Sequence, residues 1–326
     1  MKYFFCFIIS ILCSFKFTVN NNDYIDKGLR FTFQAEYDKS NEYWENLLLT
    51  EKKPAIFFYK LYNSYIELID TEDYYNSDEF VKSCDSLINF NNSSNNVSAD
   101  QNLIFFIASL HTFKAGIYSK KKNHFKAYSS ARKGNSLAEK ALEISPDFSN
   151  ACLINGAYNY WKHKLIDSLP LIKKDFSNDI RIIKKSLNGD KYVRYLAMHQ
   201  LAWIYYLNKD FETSIEFCNR GLNEFKDSRL FLKPLAENYK KTGKYSECLE
   251  IYEKLTDSYK KCDYENKYIN VKYSIKIAEL NKYLSRNSET LKYVKYVNNL
   301  ELNEIERNAS KDYLRRCRNL SDSSRR

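Results

Sequence analysis

YLAMHQLAWIYYLNKDFETSIEFCNRGLNEFKDSRLFLKPLAENYKKTGKYSECLEIYEKLT, residues 195–256, states one pattern twice. Leu201, Ala202, Tyr205, Phe211, Ser214, Cys218 and Leu222 return 34 residues later as Leu235, Ala236, Tyr239, Tyr245, Cys248, Tyr252 and Thr256. Only the last pair is a poor match. Self-similarity at this period marks stacked two-helix units. Within each copy the apolar and small residues recur at helical spacing. The tetrads Asn208-Lys209-Asp210-Phe211 and Thr242-Gly243-Lys244-Tyr245 interrupt that spacing, so each copy reads as helix, turn, helix. A lone hairpin of this kind cannot bury both its faces, and neighbours must stack on it.

Small residues (Ala202, Ala236, Ser214, Cys248) stand where the two helices of a hairpin approach closely. Large rings (Tyr205, Tyr239, Phe211, Tyr245) fill the space beside them. The spacing small, Tyr, Gly-x-Tyr-x-x-small, clearest in Ala236, Tyr239, Gly243, Tyr245 and Cys248, resembles the tetratricopeptide repeat. That resemblance implies an all-α fold, a right-handed α-solenoid of stacked helix-turn-helix hairpins. The ending Ala138-Glu139-Lys140-Ala141-Leu142-Glu143-Ile144-Ser145-Pro146 resembles the same repeat, in which a helix stop and a proline hand over to the next unit. The middle of the chain, read with Leu201 to Tyr205, is similar to exported bacterial tetratricopeptide proteins of unassigned activity. Such proteins imply a protein or peptide partner rather than a reaction.

Composition agrees. The chain has only 7 Gly and 4 Pro in 326 residues, too few for a turn-rich all-β fold. Its 28 Tyr and 21 Phe are more than a small core needs, and suit rings wedged between many helices. The net charge of +10 is spread through lysine-rich helices, with short clusters at Lys120-Lys121-Lys122 and Arg325-Arg326. A positive field favours anionic partners or a membrane surface. No nucleic-acid-binding motif accompanies it, so solvated helix faces explain the charge and no nucleic acid is expected.

In chain order, Lys2 precedes an apolar run from Tyr3 to Phe15, too short to span a bilayer, which needs about 20 residues. Residues 1–20 read as a secretory signal peptide with a poor cleavage site; a retained membrane anchor and a buried first helix stand second and third. Residues 21–320 read as a single solenoid of about four to six hairpins. Gly28, Phe31, Tyr37, Ser40, Trp44 and Leu47 repeat the hairpin spacing, and Pro54 ends that unit. Helices follow at Ala55–Ile69 and Asp78–Phe90. Asn91 to Ser98 has no apolar periodicity and reads as a loop. Next come a hairpin turning at Lys120 to His124, an aromatic helix over Cys152 to Lys164, an irregular insertion at Ser168-Leu169-Pro170, and a shorter helix around Ile180 to Leu187. Tyr264–Leu284 and Glu289–Ile305 form a longer hairpin, Ala309–Leu320 caps it, and residues 321–326 form a disordered tail.

Chemistry is hard to find. His111, His124, His163 and His199 are scattered and form no His-x-x-x-His pair, and no glycine-rich phosphate loop exists, so neither metal nor cofactor nor catalytic residue is expected. Cys218 and Cys248 hold equivalent core positions and read as small buried hydrophobes; Cys262 with Cys317 is a freer possibility for a disulfide. The remaining constellation is a surface. If first helices line a concave face, as in stacked hairpins, its non-core residues are Tyr160 and Trp161, then His199, Trp203 and Tyr206, then Lys233, Glu237, Lys240 and Lys241. That is an aromatic strip flanked by a basic one. It suits an extended peptide with apolar side chains on the rings and carboxylates near the lysines; the alternative is that the rings pack against the insertion around Leu169-Pro170. The sequence therefore reads as an exported, non-enzymatic scaffold binding a protein or peptide in that groove. The alternative is an envelope component tethered by its N-terminal segment and acting in assembly or transport; an enzyme with an unrecognised site stands third.

Overall fold

The computed structural model describes residues 23–51, 53–74, 77–93, 100–167, 175–260 and 267–323. The leader, the insertion at Ser168–Pro170, Cys262 and the last three residues lie outside them. Among the described residues there are sixteen α-helices and no strand. They are α1 (Asp23–Phe33), α2 (Tyr37–Thr50), α3 (Pro54–Thr71), α4 (Ser77–Ser93), α5 (Gln101–Lys120), α6 (His124–Ile144), α7 (Ser149–Asp167) and α8 (Ser177–Lys185). Then follow α9 (Lys191–Leu207), α10 (Phe211–Glu224), α11 (Arg229–Lys241), α12 (Tyr245–Lys260), α13 (Lys267–Tyr283), α14 (Asn287–Asn298), α15 (Glu304–Ala309) and α16 (Lys311–Ser323). The described residues are all-α, with consecutive helices paired into hairpins that resemble tetratricopeptide units.

The hairpins share a local device that explains the period. Ser214 Oγ donates to the carbonyl of Ala202 at 2.7 Å, and Cys248 Sγ reaches the carbonyl of Ala236 at 3.1 Å. Ser40 Oγ does the same to Gly28 at 3.3 Å, and Thr290 Oγ1 to Ala278 at 3.3 Å. In every case the two residues are twelve apart. A small residue on the first helix lets the second approach, and a short donor there caps its carbonyl. Seven residues after each of these small residues the backbone turns through positive φ, at Ala35, Lys209, Gly243 and Ser285. Lys122 marks the same turn seven residues after Ala115. Only Gly243 takes that conformation without steric cost; the other turns hold a side chain there because packing of both helices over-determines it.

Element boundaries differ from the sequence reading in several places; residues 321–323, expected in a disordered tail, form the end of α16. Pro54 does not close a unit; it is the first residue of α3, where its missing N–H costs nothing. Helix α4 continues past Phe90 to Ser93, carried on by Asn91 Nδ2 donating back to the Leu87 carbonyl at 2.8 Å. The helix expected from Glu289 to Ile305 breaks after Asn298, because Asn303 and Glu306 form a capping box that starts α15.

The described residues fall into two compact units: those of Met1–Leu29, Asp38–Tyr65 and Tyr74–Ala197, and those of Arg30–Tyr37, Ile66–Asp73 and Met198–Arg326. The first is packed largely with rings. Trp44 stacks on Tyr59 with centroids 5.7 Å apart, Phe58 on Phe106 at 4.3 Å, and Tyr65 on Phe113 at 4.4 Å. Tyr192 stands edge-on to Tyr59 and Tyr62 at 5.4 Å each. These buried rings of the first unit are helix–helix filling. The second unit centres on Leu232, Ala236, Cys248, Tyr252, Leu255, Tyr273 and Ile277. A further cluster of Val271, Ile275, Val294, Val297 and Cys317 closes it under α16. Cys84, Cys152, Cys218, Cys248 and Cys317 are free and buried. No described helix is long and apolar enough to cross a membrane.

Candidate interaction groove

Helix α9 carries His199, Trp203 and Tyr206 at i, i+4 and i+7, which places them along one face. All three are half-buried. Trp203 Nε1 donates to His199 Nε2 at 3.0 Å. An indole N–H can only donate, so Nε2 is the unprotonated nitrogen of that imidazole. Trp203 meets Tyr206 edge to face at 5.6 Å between centroids, and His199 stands edge-on to Phe231 of α11 at 6.3 Å. Burial raises the Tyr206 hydroxyl above its ordinary pKa, and the nearby Glu237 carboxylate raises it further. The three rings form a fixed strip.

Thirty-four residues on, α11 replaces the three rings with Lys233, Glu237 and Lys240. Each of these charges is matched inside the unit. Lys233 Nζ lies 2.8 Å from Asp70 Oδ1 and donates to the Asp70 carbonyl at 2.5 Å. Glu237 pairs with Lys276 and accepts from the Tyr252 hydroxyl at 2.7 Å. Lys240 Nζ sits 3.2 Å from Glu279 Oε2, and Glu279 also takes a two-pronged contact from Arg316 at 2.6 and 2.5 Å. Burial pushes the Glu237 and Glu279 carboxyls up, but their cations outweigh it and both end below the ordinary value. Lys233 and Lys276 go the other way: burial dominates and lowers both ammonium groups. Lys241, at the end of α11, is exposed.

Asp70, one residue from the end of α3, is the centre of this network and is wholly buried. Arg229 Nε donates to its Oδ2 at 2.6 Å, and the Tyr37 hydroxyl to the same oxygen at 3.0 Å. The Tyr259 hydroxyl lies 3.0 Å from Oδ1 and 2.8 Å from the Asp70 carbonyl. The Arg229 guanidinium covers the Tyr259 ring at 4.2 Å. Burial alone would raise the Asp70 carboxyl, but Lys233 and Arg229 together hold it far below the usual carboxylate range. Glu72 repeats the scheme beside it, pairing with Lys272 and accepting from the Tyr268 hydroxyl at 3.2 Å. Stacked repeats ordinarily touch only their neighbours, yet Asp70 and Arg229 are 159 residues apart. Residues 66–73 thus bring two carboxylates to the lysine-bearing faces of α11 and α13.

In the first unit, Tyr160, expected on the open face, is instead fully buried because it packs on Phe176 at 5.2 Å, while Trp161 beside it is 44% exposed. His163 Nδ1 lies 2.7 Å from Asp179 Oδ2 and ties α7 to α8. No group of three or more His, Cys, Asp or Glu able to hold a metal occurs among the described residues. The sequence reading missed Asp70, Arg229, Lys276 and Arg316. Two signals pointed to the first two. Arg229 falls where the preceding repeat has Tyr195, and Asp70 continues the apolar stripe Tyr62, Ile66 of α3 at i+4.

No family model matches this chain, and no curated protein matches it. Among solved structures it is similar to PilW, a widely conserved type IV pilus biogenesis factor, at 18% identity over 72% of this chain and 88% of that one, with a TM-score of 0.43. It is also similar to the C-terminal part of a TPR repeat-containing protein from Cytophaga hutchinsonii, at 13% identity over 87% and 98%, TM-score 0.42. A third likeness is to the Cut9–Hcn1 hetero-tetramer of the APC/C, at 9% identity over 86% and 54%, TM-score 0.46. Likeness at this level says nothing about activity; the hairpin geometry carries the tetratricopeptide resemblance by itself.

Proposed function

We propose that this protein is a non-enzymatic interaction scaffold that holds a protein or peptide segment along the first-helix faces of its hairpins. The observation that carries the reading is the ring strip of α9. His199, Trp203 and Tyr206 are ordered by mutual contacts yet remain half-open to solvent. Ordered aromatic rings with a wet edge are the usual anchors of protein recognition. Lys241, exposed at the end of the neighbouring helix, supplies the positive flank, while Lys240 beside it is paired with Glu279. Lys233 and Glu237, each held by an internal partner, shape the face beneath. The exposed Trp161 extends the aromatic surface of the first unit, with Tyr160 as its buried support. The apolar run Tyr3–Phe15 supports export as the setting in which the scaffold works.

A photo-crosslinking residue placed at Tyr206 should capture the partner in native cells, and one placed at Glu216 on α10 should not. Trp203→Ala should then weaken binding of the purified partner about tenfold or more, the cost of losing a buried aromatic anchor, with the helical circular dichroism unchanged. Equal capture from both positions, or unchanged affinity of Trp203→Ala, would overturn the assignment.

A further inference from the structure

The first unit has a second surface feature of a different kind, at the turn between α5 and α6. Every residue from Ser119 to Lys126 is exposed. This stretch holds Lys120, Lys121, Lys122, His124 and Lys126 around Phe125, and Phe125 is 84% exposed. The turn is not loose. Lys122 is fixed at φ 58°, and the Asn123 side chain caps α6 by accepting from the Lys126 N–H at 3.2 Å. A rigid turn thus holds a large apolar ring out in water among four lysines. One turn along α6 stands Tyr128, 54% exposed, next to Tyr158 of α7. One turn beyond Tyr158 come Trp161 and Lys162, both exposed. Asp78 is the counter-charge here, 2.8 Å from Lys121, and Lys82 and Lys126 also act on its carboxylate. The corner keeps a positive excess.

We propose that this aromatic, lysine-rich corner docks on an anionic lipid bilayer. Its shape selects that occupant. A peptide site needs walls, and the residues that line one lose exposure to each other; here the ring projects with nothing over it. A projecting ring suits a broad, deformable surface into which it can sink while lysines stay at headgroup level. Tyr and Trp prefer that same interface, and each lysine near an anionic surface adds attraction. The corner lies apart in sequence from the apolar run at Tyr3–Phe15, and it provides membrane contact that does not depend on that run.

The test uses the full chain with vesicles of phosphatidylcholine alone and of an equal mixture with phosphatidylglycerol, read by co-sedimentation. The chain should bind the anionic vesicles more tightly than the neutral ones. Lys122→Gln with Lys126→Gln should weaken that binding roughly 20- to 30-fold, the combined effect of two surface lysines. Phe125→Ser should weaken it about tenfold; so exposed a side chain can be lost without unfolding, and circular dichroism checks this. Bromine-labelled anionic lipid should quench tryptophan emission, and Trp161→Phe should remove most of the quenching, since Trp44 lies inside the protein and Trp203 is half-buried. Anionic binding equal in wild type and both variants would assign membrane contact to another segment and overturn the proposal. So would binding that ignores lipid charge, or no binding to anionic vesicles, which would leave an acidic protein surface as the partner.

Discussion

Asp70→Asn is the sharpest probe of the second unit. The substitution keeps the size of the side chain and removes its charge. It leaves Arg229, 1% exposed, and Lys233 without the carboxylate both contact. Removing one partner of a buried ion pair costs about 3–5 kcal/mol, because the remaining charge stays desolvated. At about 2–4 °C per kcal/mol for a chain portion of 150–250 residues, the melting temperature should fall by roughly 6–20 °C. The loss is cooperative with Arg229. In the Asp70→Asn background, Arg229→Met should cost less than in the wild type, with a coupling energy of about 1–3 kcal/mol. The pH dependence has a definite sign. The Asp70 carboxyl is depressed in the folded chain, so its contribution is complete above its unfolded pKa of about 3.9 and is lost as pH falls towards the folded value. The gap between wild type and Asp70→Asn, measured by thermal or urea unfolding, should therefore be full near neutrality and narrow below about pH 4. A variant melting within about 2 °C of wild type, the range of an ordinary surface substitution, or a gap indifferent to pH, would refute the reasoning.

Two further outcomes test the hairpin packing. A Cβ on Gly28 would stand 2.2 Å from the indole of Trp44, which is wholly buried, so Gly28→Ala should lose about 1–3 kcal/mol to overpacking, more than the ~1 kcal/mol its better helix propensity returns; an unchanged or raised melting temperature contradicts the close approach. Burial pushes the thiols of Cys218 and Cys248 up to about 12, so alkylation of the native chain at mildly basic pH followed by peptide mapping should leave these two and Cys84 unmodified until denaturant is added; rapid native labelling of any of the three contradicts their burial.

The hairpin fold was legible because it rests on local rules. A small residue, a turn seven positions later and a short donor twelve positions later suffice to define a unit, and two copies 34 residues apart showed it. The copy at Ala278 and Thr290 went unread, since it follows Ala236 by 42 residues rather than 34. Boundaries failed where a single side chain decided them, as with the Asn303 cap. The groove was half legible. Helical spacing put His199, Trp203 and Tyr206 on one face, but nothing local could show that Lys233 is matched by a carboxylate 163 residues earlier.

That match changes what the basic strip can do. Lys233 and Lys240 look like part of a positive strip in sequence, yet Asp70 and Glu279 already neutralise them at hydrogen-bonding distance. An incoming acidic segment would have to displace a bound carboxylate, recovering only the difference between two similar pairings. Attraction by these lysines therefore contributes little affinity. Trp203 and Tyr206 act differently: covering their exposed edges removes apolar surface from water. Under the proposed function, selectivity for a partner would come from the aromatic strip. The buried charges fix the relative placement of α11, α13 and α16, through Glu237–Lys276 and Lys240–Glu279–Arg316.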